Sequence, residues 1–413
     1  MGSRGLCLQG KCSRIESVKS WVEISEERLA ENYGVLTRAA GGDVAVMGVV
    51  KADAYGHGAA LCGPVLARAG AEWLGVADAV EGAAARAALL AAGMDRAHQP
   101  RVMTMSGMLG DDADAIVEHD LTPVVWNLRQ MELLAAAVKR CGRTALPVHL
   151  EMDSGMTRQG VCIEDLPEVL GWLVAHKELV LDGVMTHFAS AEVAGSEQTR
   201  RQRERFGAAV QAVRDAGLRP EWVHAGASST VDNDIAEGSL CRLREVAAGV
   251  GARAMVRAGI ALYGYCLPLE GAGARAAVCE RLRPVMTWKT RVIDVREIAA
   301  GDAVGYNATF VAKQAMRLAL LPVGYSDGLR RELSSTNARA GGWVMVRGER
   351  AAIVGRVSMN LTVVDVTGIA GVQVGDEVVL VGDGVTADDH ARVAGTISYE
   401  ILCGVRADWR VAV

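Results

Sequence analysis

The sequence predicts an α/β molecule: a (β/α)8 barrel of the TIM type followed by a mostly-β C-terminal domain. Three observations lead there. Short apolar runs alternate with segments of helical period from residue 44 to residue 260. Eight such runs fall within about 220 residues, which is what a closed parallel barrel takes. Beyond Ala261 the helical period fades, and β-branched runs separated by Gly-Asp and Arg-Gly turns take over.

In chain order, residues 1–20 are too polar for a secretory signal and are expected to form a flexible extension. The barrel domain is expected over 21–265. Residues 21–24 (WVEI) read as a short strand, and Ser25 followed by Glu26, Glu27 and Arg28 opens a helix. The run VAVMGVV at 44–50 has the continuous apolar character of a strand buried on both faces. Further strands are expected at 73–77, 101–105, 122–126, 147–152, 181–188, 221–225 and 255–260, with helical segments such as 79–92 and 197–216 between them. Residues 266–413 are expected to form the second, β-rich domain, joined through a Gly- and Ala-rich link near 268–278.

Composition narrows the function. The chain has 413 residues, 50% of them hydrophobic, and a net charge of −5. It lacks a basic block, which argues against nucleic acid or an anionic membrane as partner. No apolar run approaches the roughly 20 residues of a membrane span. Nine cysteines are scattered without CxxC pairs, the pattern of reduced thiols in a cytoplasmic protein. No metal site is expected, because His, Asp and Glu show no ligand spacing.

Barrels carry their chemistry at the carboxyl ends of the strands. There the first strand presents Lys51, whose apolar surroundings disfavour the ammonium and suit Schiff-base chemistry. Tyr55 follows four residues on. The fifth strand ends at Glu151 and leads to Arg158. The sixth ends in His187, the seventh in His224 with Ser228 beyond it, and the eighth carries Arg257, Gly259 and Ile260. Ser228, Gly259 and Ile260 stand where barrels bind phosphate through main-chain N–H groups and a hydroxyl, with the Tyr55 hydroxyl as a further donor. An amine opposite a phosphate cradle suits a phosphorylated aldehyde. Pyridoxal phosphate and the sugar phosphate of a Schiff-base aldolase both answer that description.

The segments VVKADAYGHG, MDSGMTRQG, THFA, MVRAGIALYG, VGYNATF, GYSDG, GRVSMN and TISYEILCG, in this order, resemble alanine racemase, a fold-type III pyridoxal-phosphate enzyme family. The likeness spans about residues 21–413. It implies a homodimer whose two active sites are each completed by the partner's β domain, and an activity that interconverts L- and D-alanine for peptidoglycan. It also implies roles for matching positions. Lys51 carries the cofactor; Tyr55, Ser228, Gly259, Ile260 and Tyr399 hold its phosphate. Arg257 faces the pyridine nitrogen, and His187 stands beside Tyr306. Arg158 approaches cofactor and substrate carboxylate, and Met359 offers the carboxylate a main-chain N–H. Tyr306 is the second catalytic group, and Tyr325 and Tyr399 narrow the entrance.

The chemistry accounts for these types. Inverting a stereocentre takes a proton from one face and returns one to the other, so two groups, Lys51 and Tyr306, are the simplest arrangement. A guanidinium can only donate to the ring nitrogen, so Arg257 leaves charge near the α-carbon and favours reprotonation there. Many members have a modified lysine at the position of Glu151; here Glu151 is expected to orient Arg158 directly. Ala227 and Asn360 also depart from the family pattern and bear on substrate range. The alternatives are a racemase acting on serine or lysine, a fold-type III decarboxylase, and a non-catalytic cofactor carrier. The last would not need Tyr306, Met359 and Tyr399.

Overall fold

The computed structural model describes residues 18–413 and, for the main chain alone, strand β1 (Leu6–Cys7). The flexible extension expected over residues 1–20 falls mostly outside the described residues. The chain forms two compact units. One comprises residues 29–54 and 59–283; the other takes the described residues before 29, residues 55–58, and 284–413.

After β2 (Ser20–Ile24) and the helix Glu26–Ala40, the first unit supplies eight strands. They are β3 (Val44–Val49), β4 (Trp73–Val76), β5 (Arg101–Thr104), β6 (Thr122–Val125), β7 (Leu146–Glu151), β8 (Leu179–Thr186), β9 (Trp222–Ala227) and β10 (Arg253–Ala258). All pair in parallel, and β10 closes the barrel on β3, with Ala254 opposite Val44 and Ala258 opposite Gly48. Each of the eight predicted strands is found. The strands are apolar because both faces are covered, by the barrel core inside and by helices outside. Helices start directly after the strand ends on polar caps: Asp78 accepts from the Glu81 N–H at 2.9 Å and Asn127 from Gln130 at 3.0 Å.

The two ends of the barrel differ. At the amino end Trp73 and Trp222, both about 1–2% exposed, meet edge to face at 5.8 Å. Arg101 and Arg253 cover them at 4.2 and 4.1 Å from the ring centres. That end is a plug. The carboxyl end carries the polar side chains.

Between β3 and the next helix the main chain does something the sequence hides. Ala52, Asp53, Ala54 and Tyr55 have φ of 52°, 53°, 55° and 54°, a turn of left-handed helix without glycine. Such torsions cost about 1–2 kcal/mol per residue, so the turn needs outside support. Glu81 provides part of it. One carboxylate oxygen accepts the Ala52 N–H and the other the Ala77 N–H, each at 2.8 Å. Asp53 accepts from Ala59 at 2.8 Å.

The second unit holds β11 (Met286–Arg291), β12 (Asp294–Ile298), β13 (Ala303–Val304), β14 (Phe310–Val311), β15 (Met316–Leu321), β16 (Trp343–Val346), β17 (Glu349–Ala352), β18 (Thr362–Asp365), β19 (Glu377–Val381) and β20 (Trp409–Ala412). Its main sheet has seven strands in the order β1-β20-β2-β11-β19-β16-β17, and β12-β15-β18 form a second sheet. Val304, Ala312, Met316, Leu318 and Val354 make a buried core cluster. Two helices, Ala387–Ala394 and Ser398–Gly404, accompany the strands of this mostly-β unit; Thr386 and Asp389 cap the first reciprocally.

The boundaries of 21–265 and 266–413 are corrected at both ends. Residues 21–24 do not belong with the barrel: β2 lies between β11 and β20, with Trp21, Val22 and Ile24 at most 1% exposed. Residues 266–283 stay with the barrel unit. The buried Asn32 amide donates to the carbonyls of Leu262 (3.0 Å) and Arg283 (2.8 Å), and its oxygen accepts the Arg283 N–H at 2.9 Å.

Candidate active site

Within the barrel unit the strand ends gather Lys51, Glu151, Arg158, His187, Ser228, Arg257 and Gly259. Lys51 follows β3 where the left-handed turn begins. Burial lowers its pKa first, and the nearby Arg158 and Arg257 charges lower it further, against Glu81 and Glu151. The ammonium therefore loses its proton more readily than a surface lysine. Lys51, Arg158 and Arg257 bring three cations against the two carboxylates of Glu81 and Glu151, which leaves positive charge to be balanced by an anion.

Arg257 is 4% exposed, and three of its five N–H donors are engaged by neighbouring groups. Its Nη2 donates to the Thr186 carbonyl at 2.7 Å and to His187 Nδ1 at 3.1 Å, and its Nη1 donates to His224 Nδ1 at 3.0 Å. Burial brings its pKa to about 10, so it stays cationic at neutral pH.

Because guanidinium only donates, it fixes the protons of the histidines behind it. His224 must accept on Nδ1 and carry its proton on Nε2, which donates to His149 Nδ1 at 2.7 Å. His149 then carries its proton on Nε2 and donates to Asp182 at 3.0 Å. Both rings are buried and neutral, and burial holds His224 well below the usual imidazole range. His187 likewise accepts from Arg257; burial, then Arg257, Arg158 and Lys51, push its pKa down to about 3. The chain Asp182–His149–His224–Arg257 thus runs with one hydrogen-bond polarity.

The sequence reading missed His149, Asp182 and Glu81. His149 and Glu151 are two apart on β7 and so share a face, a period-two signal that was available. Asp182 and Glu81 carry no such mark.

Glu151 is 2% exposed, which excludes a solvent-facing role. The expectation that it directly orients Arg158 is modified. Among the described residues its carboxylate accepts from Gln159 Nε2, and it acts on Arg158 through charge. Gln159 also donates to the Met105 carbonyl at 2.9 Å, so Glu151 is tied to the loop next to Arg158.

Ser228 opens the short helix Ser228–Asp232 after Ala227. Its hydroxyl oxygen accepts the N–H groups of Gly259 (3.1 Å) and Ala261 (3.2 Å) on either side of Ile260. Main-chain donors and a hydroxyl therefore converge there, and Ala261 joins the residues named from sequence.

The remaining residues belong to the β unit. Tyr306 sits at the tip of the β13–β14 hairpin, on a segment where Gly305, Asn307 and Ala308 have positive φ, and is 66% exposed. Met359 and Tyr325 are 57% and 43% exposed. They lie together: the Met359 carbonyl accepts from the Ser326 N–H (3.0 Å) and hydroxyl (2.8 Å), and Asn360 Nδ2 donates to that hydroxyl at 2.7 Å. The Tyr399 and Tyr55 rings are 5.8 Å apart.

Known proteins resemble this chain along nearly its whole length. Residues 24–267 match the family described as alanine racemase, N-terminal domain, and residues 285–412 match alanine racemase, C-terminal domain. An alanine racemase of Sorangium cellulosum is 36% identical over 396 residues, covering 93% of this chain and 96% of its own. The structure of alanine racemase from Streptomyces coelicolor A3(2) superposes with a TM-score of 0.85 at 31% identity, over 97% of this chain and 100% of that one. The alanine racemase of Bartonella henselae with covalently bound pyridoxal phosphate shares the fold, with a TM-score of 0.77 at 24% identity, over 96% of this chain and 99% of that one. With both domains matched along nearly the whole chain and the barrel closed as described, this protein belongs to the alanine racemase family.

Proposed function

We propose that this protein is a pyridoxal-phosphate-dependent alanine racemase, working in the cytoplasm as a homodimer and supplying D-alanine for peptidoglycan. The observation that carries the reading is a half-buried Lys51 at the barrel mouth, whose amine is held below the usual lysine range by burial and by the Arg158 and Arg257 charges beside it. The residues fit the cofactor. The Ser228 hydroxyl, whose oxygen accepts the Gly259 and Ala261 N–H groups, keeps its own O–H to donate to a phosphate, and the surplus of positive charge suits both that phosphate and a substrate carboxylate. When bound, pyridoxal phosphate draws electrons from the substrate's α-carbon and acidifies its proton.

The chain's own groups do the rest. Lys51, with its proton loosely held, serves as acid and base on one face. Arg257 is locked as a donor by Thr186, His187 and His224 and would present N–H to the ring nitrogen without surrendering the proton. Arg158 and the Met359 main chain would hold the substrate carboxylate. Tyr306 of a second copy is the base for the opposite face, and its exposed hairpin position suits a residue covered on dimerisation. Tyr55 and Tyr399 would close around the phosphate, and Tyr325 would narrow the entrance.

The test is isotope exchange in deuterated water. Wild-type holoenzyme should exchange the α-proton of both L- and D-alanine. Tyr306→Phe should keep exchange for one enantiomer and lose at least about 100-fold for the other. Equal retention for both would remove Tyr306 as the second base.

A further inference from the structure

The barrel unit holds a second cluster of chemistry that the active site does not use. Asp232, Cys266 and Cys279 are far apart in sequence, yet one carboxylate oxygen and the two sulfurs lie within 4.8 Å of one another. Asp232 builds the arrangement. Its Oδ1 accepts the N–H groups of Val278 (2.8 Å) and Cys279 (2.9 Å), and its main-chain carbonyl accepts from Ala277 at 2.8 Å. The 277–279 turn is thereby pinned to the end of the helix that Ser228 opens.

The other carboxylate oxygen, Oδ2, has no hydrogen-bond partner, although Asp232 is only 1% exposed. No Lys or Arg pairs with Asp232 among the described residues. An unsatisfied buried acceptor costs about 1–3 kcal/mol, and more for a charged one, so a positive partner is wanted. Cys266 is 8% exposed and Cys279 is half-buried, which leaves one side open for entry. A tetrahedral zinc with bonds near 2.3 Å places its ligand atoms roughly 3.7 Å apart, a contraction of about 1 Å at most from the arrangement here.

We propose that Asp232, Cys266 and Cys279 form a binding site for a thiophilic divalent cation of the zinc class, with water as the fourth ligand. Two thiolates and a carboxylate select such an ion over magnesium or calcium. Binding breaks two S–H bonds, forms two metal–sulfur bonds and one metal–oxygen bond, and releases two protons to solvent; nothing is oxidised or reduced. The ion touches no reacting atom. It ties the segment leaving the last barrel strand to the helix of the phosphate-binding serine. A Cys266–Cys279 disulfide would use the sulfurs but leave Oδ2 unsatisfied.

The experiment uses the reduced holoenzyme, stripped with a chelator and titrated anaerobically with Cd2+ while the thiolate-to-cadmium charge-transfer band is followed. One equivalent should bind tightly with the intensity of two thiolates. Cys266→Ser and Cys279→Ser should each weaken uptake at least 100-fold. Asp232→Asn, which keeps the Oδ1 acceptor, should weaken it at least tenfold, and Cys241→Ser, at an exposed cysteine elsewhere, should change nothing. A melting temperature of the wild-type protein that rises by several degrees when Zn2+ is returned would support the site without any variant. Two results would overturn it: unchanged uptake in the Cys266→Ser/Cys279→Ser double variant, or no stoichiometric uptake by the reduced wild-type protein, whether or not peptide mapping finds a 266–279 disulfide on isolation.

Discussion

Arg257 shows how much one side chain decides. It cannot accept a proton, so every neighbour must receive, and the tautomers of His187, His224 and His149 follow from that alone. His187 carries a consequence for stability. Its native pKa is about 3, against 6.5 for a free imidazole. Between those values the unfolded chain binds more protons than the folded one, so the stabilisation is complete above pH 6.5 and is lost as pH falls toward 3. One such group accounts for roughly 2 kcal/mol between pH 8 and pH 5. His187→Gln lacks the term, so urea unfolding should show the stability gap between the two proteins shift in the variant's favour by that amount over that interval. Parallel profiles would show that His187 is not held neutral. At this scale the sequence named the residues that end strands, because a strand end is a place. It could not name Asp182, whose importance lies in the His149 ring it meets on the neighbouring strand.

At the scale of elements, eight strands were legible because burial on both faces imposes an unbroken apolar run, and that pattern survives in one sequence. The turn after Lys51 was not. KADAY is built of ordinary helix formers and lacks the glycine that usually marks left-handed backbone. The turn is held from outside by Glu81, and its own Asp53 reaches forward to accept the Ala59 N–H. This gives an inverted mutational rule. Ala52→Gly relieves a strained torsion at an exposed site and should fall within about 0.5 kcal/mol of wild type, or stabilise. The same change at exposed Ala87, inside the helix Ala79–Ala91, should cost about 1 kcal/mol. Equilibrium unfolding of the two variants checks it; equal losses would mean that the left-handed turn is not strained. The β2 strand was recognised but misplaced, since WVEI reads alike in a barrel and in a sheet.

For the whole molecule, the chain divides into a closed barrel with its polar strand ends on one side and a β unit that carries Tyr306, Tyr325 and Met359 exposed. The proposed homodimer gives those residues a place: each barrel's Lys51 would work with the other copy's Tyr306. The family likeness suggested this from sequence, since an interface between copies leaves no local signature in a single chain. Subunit mixing tests it most directly. Lys51→Ala and Tyr306→Phe should each be nearly inactive alone. Random re-association makes half of the dimers mixed, and each mixed dimer has one intact site, so activity should return to about a quarter of wild type. Activity that stays at the level of the single variants, with mixed dimers verified by mass, would contradict a site shared between Lys51 and the partner's Tyr306.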